Sequence, residues 1–222
     1  MNVSTLPLVL ALTAAAPAAV VLDSITGATL GGASTNITGP DTAIDFFGTP
    51  VPIPDNEVAV RFQTGIYSST LDQLDFAINI SDPSHLDPVQ VVLSTGPNPP
   101  GGTSPVALGT ATPTSTGGFS QTLSISPSGT ITLTPNTEYW LHFTATGTET
   151  FYALASSNLT NSTGSWAFTE TWSLQPPAAW NQLNGLTPAI RISATEAVPE
   201  TSTALLGAFG LLLVLHRRRA LS

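Results

Sequence analysis

Apolar residues in this chain recur at every second position over short runs, and no long segment carries a 3.6-residue apolar period. Successive side chains of a strand point to opposite faces, so alternation with period two marks half-buried strands. The clearest run places Leu74, Phe76, Ile78 and Ile80 against Asp75, Ala77 and Asn79. Val58, Val60 and Phe62 form a second, Val89, Val91 and Leu93 a third, and Tyr139, Leu141 and Phe143 a fourth. Leu123 with Ile125, Ile131 with Leu133, and a weaker Val106 with Leu108 add shorter runs, and residues 151–155, 166–172 and 189–192 complete the set. Turn formers separate them, among them Ser126-Pro127-Ser128-Gly129 and Pro135-Asn136-Thr137. This pattern predicts an all-β body of sandwich or jelly-roll type over residues 19–196, with exposed loops at 97–104 and 158–164.

The absence of cysteine excludes disulfides, thiolate metal sites and cysteine nucleophiles, so the body must be held by its core. A stretch of that length is sufficient for one domain. Lysine is also absent, and Arg61 and Arg191 are the only arginines between residues 19 and 196, in a chain of net charge −9. An acidic body repels nucleic-acid phosphates and anionic lipid, and nucleic acid is not an expected partner.

Residues able to carry chemistry are few. His85 sits in the turn Asp82-Pro83-Ser84-His85-Leu86-Asp87-Pro88, whose spacing matches no calcium loop and reads as a solvated turn. His142 falls on the opposite strand face from Leu141 and Phe143, to meet solvent or pack under a loop. Asp72 and Asp75 are the nearest thing to a hydrolytic carboxylate pair, but they read as exposed strand residues. No Gly-x-Ser-x-Gly elbow is present, and Gly101-Gly102 and Gly117-Gly118 precede strands rather than helices. No catalytic residue, metal ligand or cofactor is therefore assigned, and the chain is expected not to be an enzyme. The four tryptophans admit two readings. Trp172 and Trp180 flank the Pro176-Pro177 turn and can present flat rings to a sugar; alternatively the set fills or caps the core, where tryptophan's area is usually buried.

Both ends carry export-type segments. At the N-terminus an apolar run, Leu6 to Leu12 in large part, precedes Ala16-Pro17-Ala18, a small-x-small cleavage pattern that predicts a signal peptide over residues 1–18 with Ala16 and Ala18 at the cut. At the C-terminus the apolar run 204–215 carries no charge and is followed by Arg217, Arg218 and Arg219. A bilayer span takes ~20 apolar residues, with about 17 as the lower limit; the strictly apolar run falls short of that, but Ser202 and Thr203 extend it and the arginines can snorkel to the headgroups, so a short single transmembrane helix is expected. Basic residues stay cytoplasmic, which puts the body outside the inner membrane. A buried core helix is the alternative, and it leaves three arginines abutting the apolar run unexplained.

Val198-Pro199-Glu200-Thr201, the apolar run and the arginine cluster together resemble a PEP-CTERM sorting domain over residues 197–222. Pro199 and Glu200 match the motif, and Thr201 stands where the family most often has proline. The resemblance implies recognition by exosortase, a membrane-embedded peptidase that cuts near the motif and passes the body to the cell surface or extracellular matrix. The body is also similar to choice-of-anchor domains of the R type. That similarity rests on Phe62-Gln63-Thr64-Gly65, Leu71-Asp72-Gln73-Leu74 and the segment Leu133-Thr134-Pro135-Asn136-Thr137-Glu138-Tyr139-Trp140-Leu141. This similarity implies surface display with no established activity. The expected role is structural or interactive; the alternative is a carbohydrate-binding module recognising the exopolysaccharide that such proteins are expected to join.

Overall fold

The computed structural model describes residues 17–30, 35–38, 41–44, 50–53, 56–80, 86–96, 103–114, 120–147, 151–158, 164–174, 179–197 and 210 of the 222-residue chain. The strands among them, numbered in chain order, make the body all-β. A seven-stranded sheet runs β1 (Ala19–Asp23), β17 (Ile190–Glu196), β6 (Ser69–Ile80), β12 (Phe151–Leu154) and β2 (Thr35–Thr38), with β9 (Gln121–Ile125) and β10 (Thr132–Leu133) also paired to β6. A six-stranded sheet runs β15 (Asn181–Gln182), β14 (Ala167–Leu174), β5 (Glu57–Gln63), β11 (Glu138–Ala145), β7 (Val89–Thr95) and β8 (Thr103–Ala111). Two further two-stranded pairings are β3 (Asp41–Ile44) with β4 (Pro50–Ile53) and β13 (Ser156–Ser157) with β16 (Thr187–Pro188), the latter joined to β6 through hydrogen bonds among Ala77, Ala155 and Ala189. The pairings within both large sheets are antiparallel.

The alternation in the sequence becomes burial on one face of each large sheet. Leu74, Phe76 and Ile78 of β6 join Val58, Val60 and Phe62 of β5 and Leu141 and Phe143 of β11 in a single apolar cluster. Phe76 and Phe143, from different sheets, meet edge-to-face at 5.1 Å, an arrangement that suits the ring quadrupoles. Strict alternation is broken where bulges occur. Register between β6 and β17 shifts by one residue on β6, so that Gln73 faces Ser193 and Leu71 faces Ala194. Leu71 and Leu74, three apart, therefore both point into the core.

At one end of the body, two segments far apart in sequence close on each other. The Thr64 hydroxyl donates to the Thr134 carbonyl at 2.7 Å and accepts from the Thr137 amide at 2.9 Å, while the Asn136 amide donates to the Gly65 carbonyl at 2.8 Å. Asn136 takes a left-handed φ of 48°, a conformation asparagine tolerates better than most residues, so Pro135-Asn136 makes the tight turn the sequence predicts. The Tyr139 hydroxyl accepts the Thr134 amide at 2.9 Å and fixes the turn to the strand that follows it.

The outer face of the seven-stranded sheet holds the second of the two body arginines. Arg191 lies between Asp23 at 3.4 Å and Asp75 at 3.7 Å and donates to the Thr26 hydroxyl at 2.6 Å. Burial alone would raise the Asp23 pKa; hydrogen bonds from Thr26 and Ile25, with the Arg191 charge, outweigh it and hold the carboxyl below its ordinary value. Asp75 also accepts from Gln73 and Ser124, each at 2.6 Å, and is only 6% exposed. The expectation of an exposed strand aspartate is corrected here: the β9 and β17 neighbours supply enough donors to bury the charge. Asp72 accepts from the Thr195 hydroxyl at 2.9 Å, so neither carboxylate is left unpartnered.

Tyr152 of β12 is buried and donates its hydroxyl to the Asp87 carbonyl at 2.9 Å. Burial, and secondarily the charge of Asp87, pushes its pKa up to about 12 from 10. The folded state thus favours the neutral phenol. Its contribution is complete below pH 10 and is lost as pH rises through about 12, by roughly 2–3 kcal/mol. Urea unfolding of the Tyr152→Phe variant between pH 9 and 12 should show that loss flattened, at a cost of about 1 kcal/mol at neutral pH from the missing hydrogen bond.

Among the described residues no helix is long and apolar enough to cross a membrane. The signal segment up to Ala16, the sorting motif 198–201 and the arginines 217–219 lie outside the described residues, as do His85 and Asp82. Ala18 is described and exposed, and β1 begins at the next residue.

Candidate functional site

The outer face of the six-stranded sheet gathers most of the body's polar and aromatic chemistry. Arg61 stands opposite Trp140 on β11 and opposite Glu170 on β14. A bulge puts Glu170 there: register between β5 and β14 shifts between Phe168 and Glu170, so Thr169 is the extra residue and Glu170 turns outward. The guanidinium then meets Glu170 at 2.6 Å and Glu138 at 3.1 Å and lies 5.3 Å over the Trp140 ring. Partly exposed ion pairs are each worth up to about 1 kcal/mol, but a guanidinium shared by two carboxylates and a ring is a network, in which geometry is fixed from three sides.

Around it the other rings are tethered. The Trp172 indole donates to Glu170 at 2.7 Å and meets Trp140 edge-to-face at 6.4 Å. His142 pairs with Glu57 at 2.8 Å and meets Trp180 edge-to-face at 5.6 Å. The sequence puts Trp140 opposite Tyr139 and Leu141, and it does point away from the main core. It is nevertheless 0% exposed, because Trp172 and Arg61 pack on it and its indole donates to the Gly96 carbonyl at 2.8 Å. Trp166, by contrast, is part of the main core, stacked on Phe62 at 5.6 Å. The two tryptophans singled out for ligand contact, Trp172 and Trp180, are both half-buried and come to this one face. The hydroxyl of Ser94, beside Trp140, is buried with no hydrogen-bond partner among the described residues.

Next to this face is a groove of about 480 Å³, within the range of small-ligand sites. It opens because the β15 segment follows β14 only as far as Leu183, whose amide donates to the Thr171 carbonyl at 2.8 Å, after which the turn at Asn184-Gly185 leads the chain away from the strand. Phe168, Thr169 and Glu170 form one wall; Gln182, Asn184 and Thr187 lie on the other. Glu170 is its only charged lining residue among the described residues, and that charge is already taken by Arg61 and Trp172. The remaining amides and hydroxyls can exchange hydrogen bonds with an uncharged, hydroxyl-rich ligand. Among the described residues no group of three or more His, Asp or Glu side chains could hold a metal ion. The sequence reading did not find this groove. Its one local signal is Asn184-Gly185, a turn dipeptide whose glycine has a φ of 76°.

No protein-family model matches this chain, and no curated protein matches it.

Proposed function

We propose that this chain is an exported β-sandwich with a structural or interaction role and no catalytic activity. In this reading residues 1–18 are a signal peptide, 19–196 the displayed body, and 197–222 a PEP-CTERM-type sorting tail. An exosortase-type peptidase cuts near Val198-Pro199-Glu200-Thr201, after transient anchoring in the inner membrane by the apolar helix and the Arg217-Arg218-Arg219 stop. The body then joins the cell surface or extracellular matrix. The observation that carries this is the order of motif, uncharged apolar run and arginines at the end of the chain. The position of the motif supports it: the Ala197 amide donates to the Ser68 carbonyl at 2.8 Å, so a cut in 198–201 falls just beyond that fold-closing bond. Two facing apolar sheet faces meeting in one cluster support the sandwich. Replacing Pro199 and Glu200 by alanine in the producing cell should leave the uncut chain in the membrane fraction; release equal to the unaltered protein's would refute the tail reading.

A second reading, carbohydrate binding, draws on the polar groove beside β14 and on Trp172 and Trp180 over the adjoining face. Affinity electrophoresis against neutral exopolysaccharides should retard the body, and Gln182→Ala with Asn184→Ala should abolish the retardation. Unretarded migration on every glycan would remove this reading.

A further inference from the structure

The two chain ends leave the body at the same pole. β1 runs antiparallel to β17, so Ala19 faces Ala194, and Glu196 at the end of β17 faces Ser69 at the start of β6. Residues 13–18 separate the N-terminal apolar run from β1, and residues 198–203 separate Ala197 from the C-terminal apolar run. Six residues span at most about 20 Å of extended chain. β6, with 12 residues at ~3.3 Å each, makes the body about 40 Å long in that direction. Any membrane that holds either apolar run is therefore within reach of this pole, whereas the opposite pole touches it only if the body lies on its side.

The surface of the pole differs from the rest of the body. Large exposed apolar side chains among the described residues are Ile66 (67%), Val20 (48%) and Val106. Ile66 lies in the turn between β5 and β6, two residues before Ser68, whose carbonyl holds Ala197. Val20 pairs with Ser193, three residues before the end of β17. Residues 64–71 and 131–137, which include the Ile66 turn and the Pro135-Asn136 turn joined to it, contain no charged side chain. The acids at this end are engaged: Glu196 accepts from the Trp166 indole at 3.0 Å and from Ser165 at 3.1 Å, and Glu138 pairs with Arg61. Hydrogen bonding leaves those carboxylates charged, so the surface this pole suits is a zwitterionic one rather than an anionic one.

We propose that this pole rests against the lipid surface while the chain is tethered, with Ile66 and Val20 at the interface. The proposal rests on the tail reading given above, and the orientation it implies turns the motif at 198–201 toward a membrane-embedded peptidase. The absence of native cysteine allows single-site labelling of the full chain. Ile66→Cys, and Thr112→Cys at the opposite end beyond β8, each carry a fluorophore in phosphatidylcholine vesicles containing spin-labelled lipid. Quenching at position 66 should exceed that at 112 several-fold. Equal, weak quenching at both sites in a chain that sediments with the vesicles would overturn the pole contact and leave the tail reading standing. A chain that fails to sediment with them would overturn both.

Discussion

Replacing Phe62 with alanine should destabilise the body by about 3–5 kcal/mol, the range for emptying a fully buried aromatic site. Phe62 is 0% exposed and sits between two other rings, Trp166 at 5.6 Å with planes 6° apart and Tyr139 at 5.9 Å. Removing it leaves a void against both, at the end of the body where the Thr64 and Asn136 bonds close the two sheet segments together. Trp166 is itself fixed to Glu196, so the neighbours cannot easily collapse into the space. Phe62→Leu keeps much of the volume and should cost less than half as much. Urea unfolding followed by tryptophan fluorescence measures both; equal costs for the two variants would show that volume at this site is not what matters.

Gly164→Ala should cost at least about 3 kcal/mol, although the residue is exposed. Its φ is +125°, a backbone region that side-chain-bearing residues rarely adopt, and an added Cβ would fall on the Val21 carbonyl. That carbonyl is not free to move. Val21 is the bulged residue of β1, and its oxygen accepts the Trp166 amide at 2.9 Å, linking the edge of one sheet to the residue that leads into β14 of the other. Moving it would disturb both the bulge and the Phe62–Trp166 stack. An alanine at Gly129, which meets open space, is the matched control and should change the urea midpoint little. Equal midpoints for the two variants would contradict the tight approach at Val21.

Most core strands are legible because the residues they send into the core alternate, as do Val58, Val60 and Phe62 of β5, Val89, Val91 and Leu93 of β7, and Tyr139, Leu141 and Phe143 of β11. The bulges are not, since an extra residue is defined only against its partner strand. Thus β1 reads Ala-Val-Val-Leu-Asp with no alternation, yet Val21 and Leu22 are both buried because of the bulge between them and β17. The same cause hid the Arg61–Glu170 pair, since by alternation alone Glu170 belongs on the inner face with Phe168. Polar burial was equally invisible. Asp75 looks like a solvent-facing residue until Arg191 and Ser124 arrive from later strands. Trp140 was placed on the correct face, but what covers it comes from β5, β14 and Gly96, which no local window contains.

The most direct test of the account is the intact mass of the mature protein recovered from outside the producing cell. The account predicts a species that begins at Ala19 and ends within Val198-Pro199-Glu200-Thr201, lacking the apolar run and all three terminal arginines. A recovered species at the full 22.9 kDa, or one that retains residues 204–219, would contradict it.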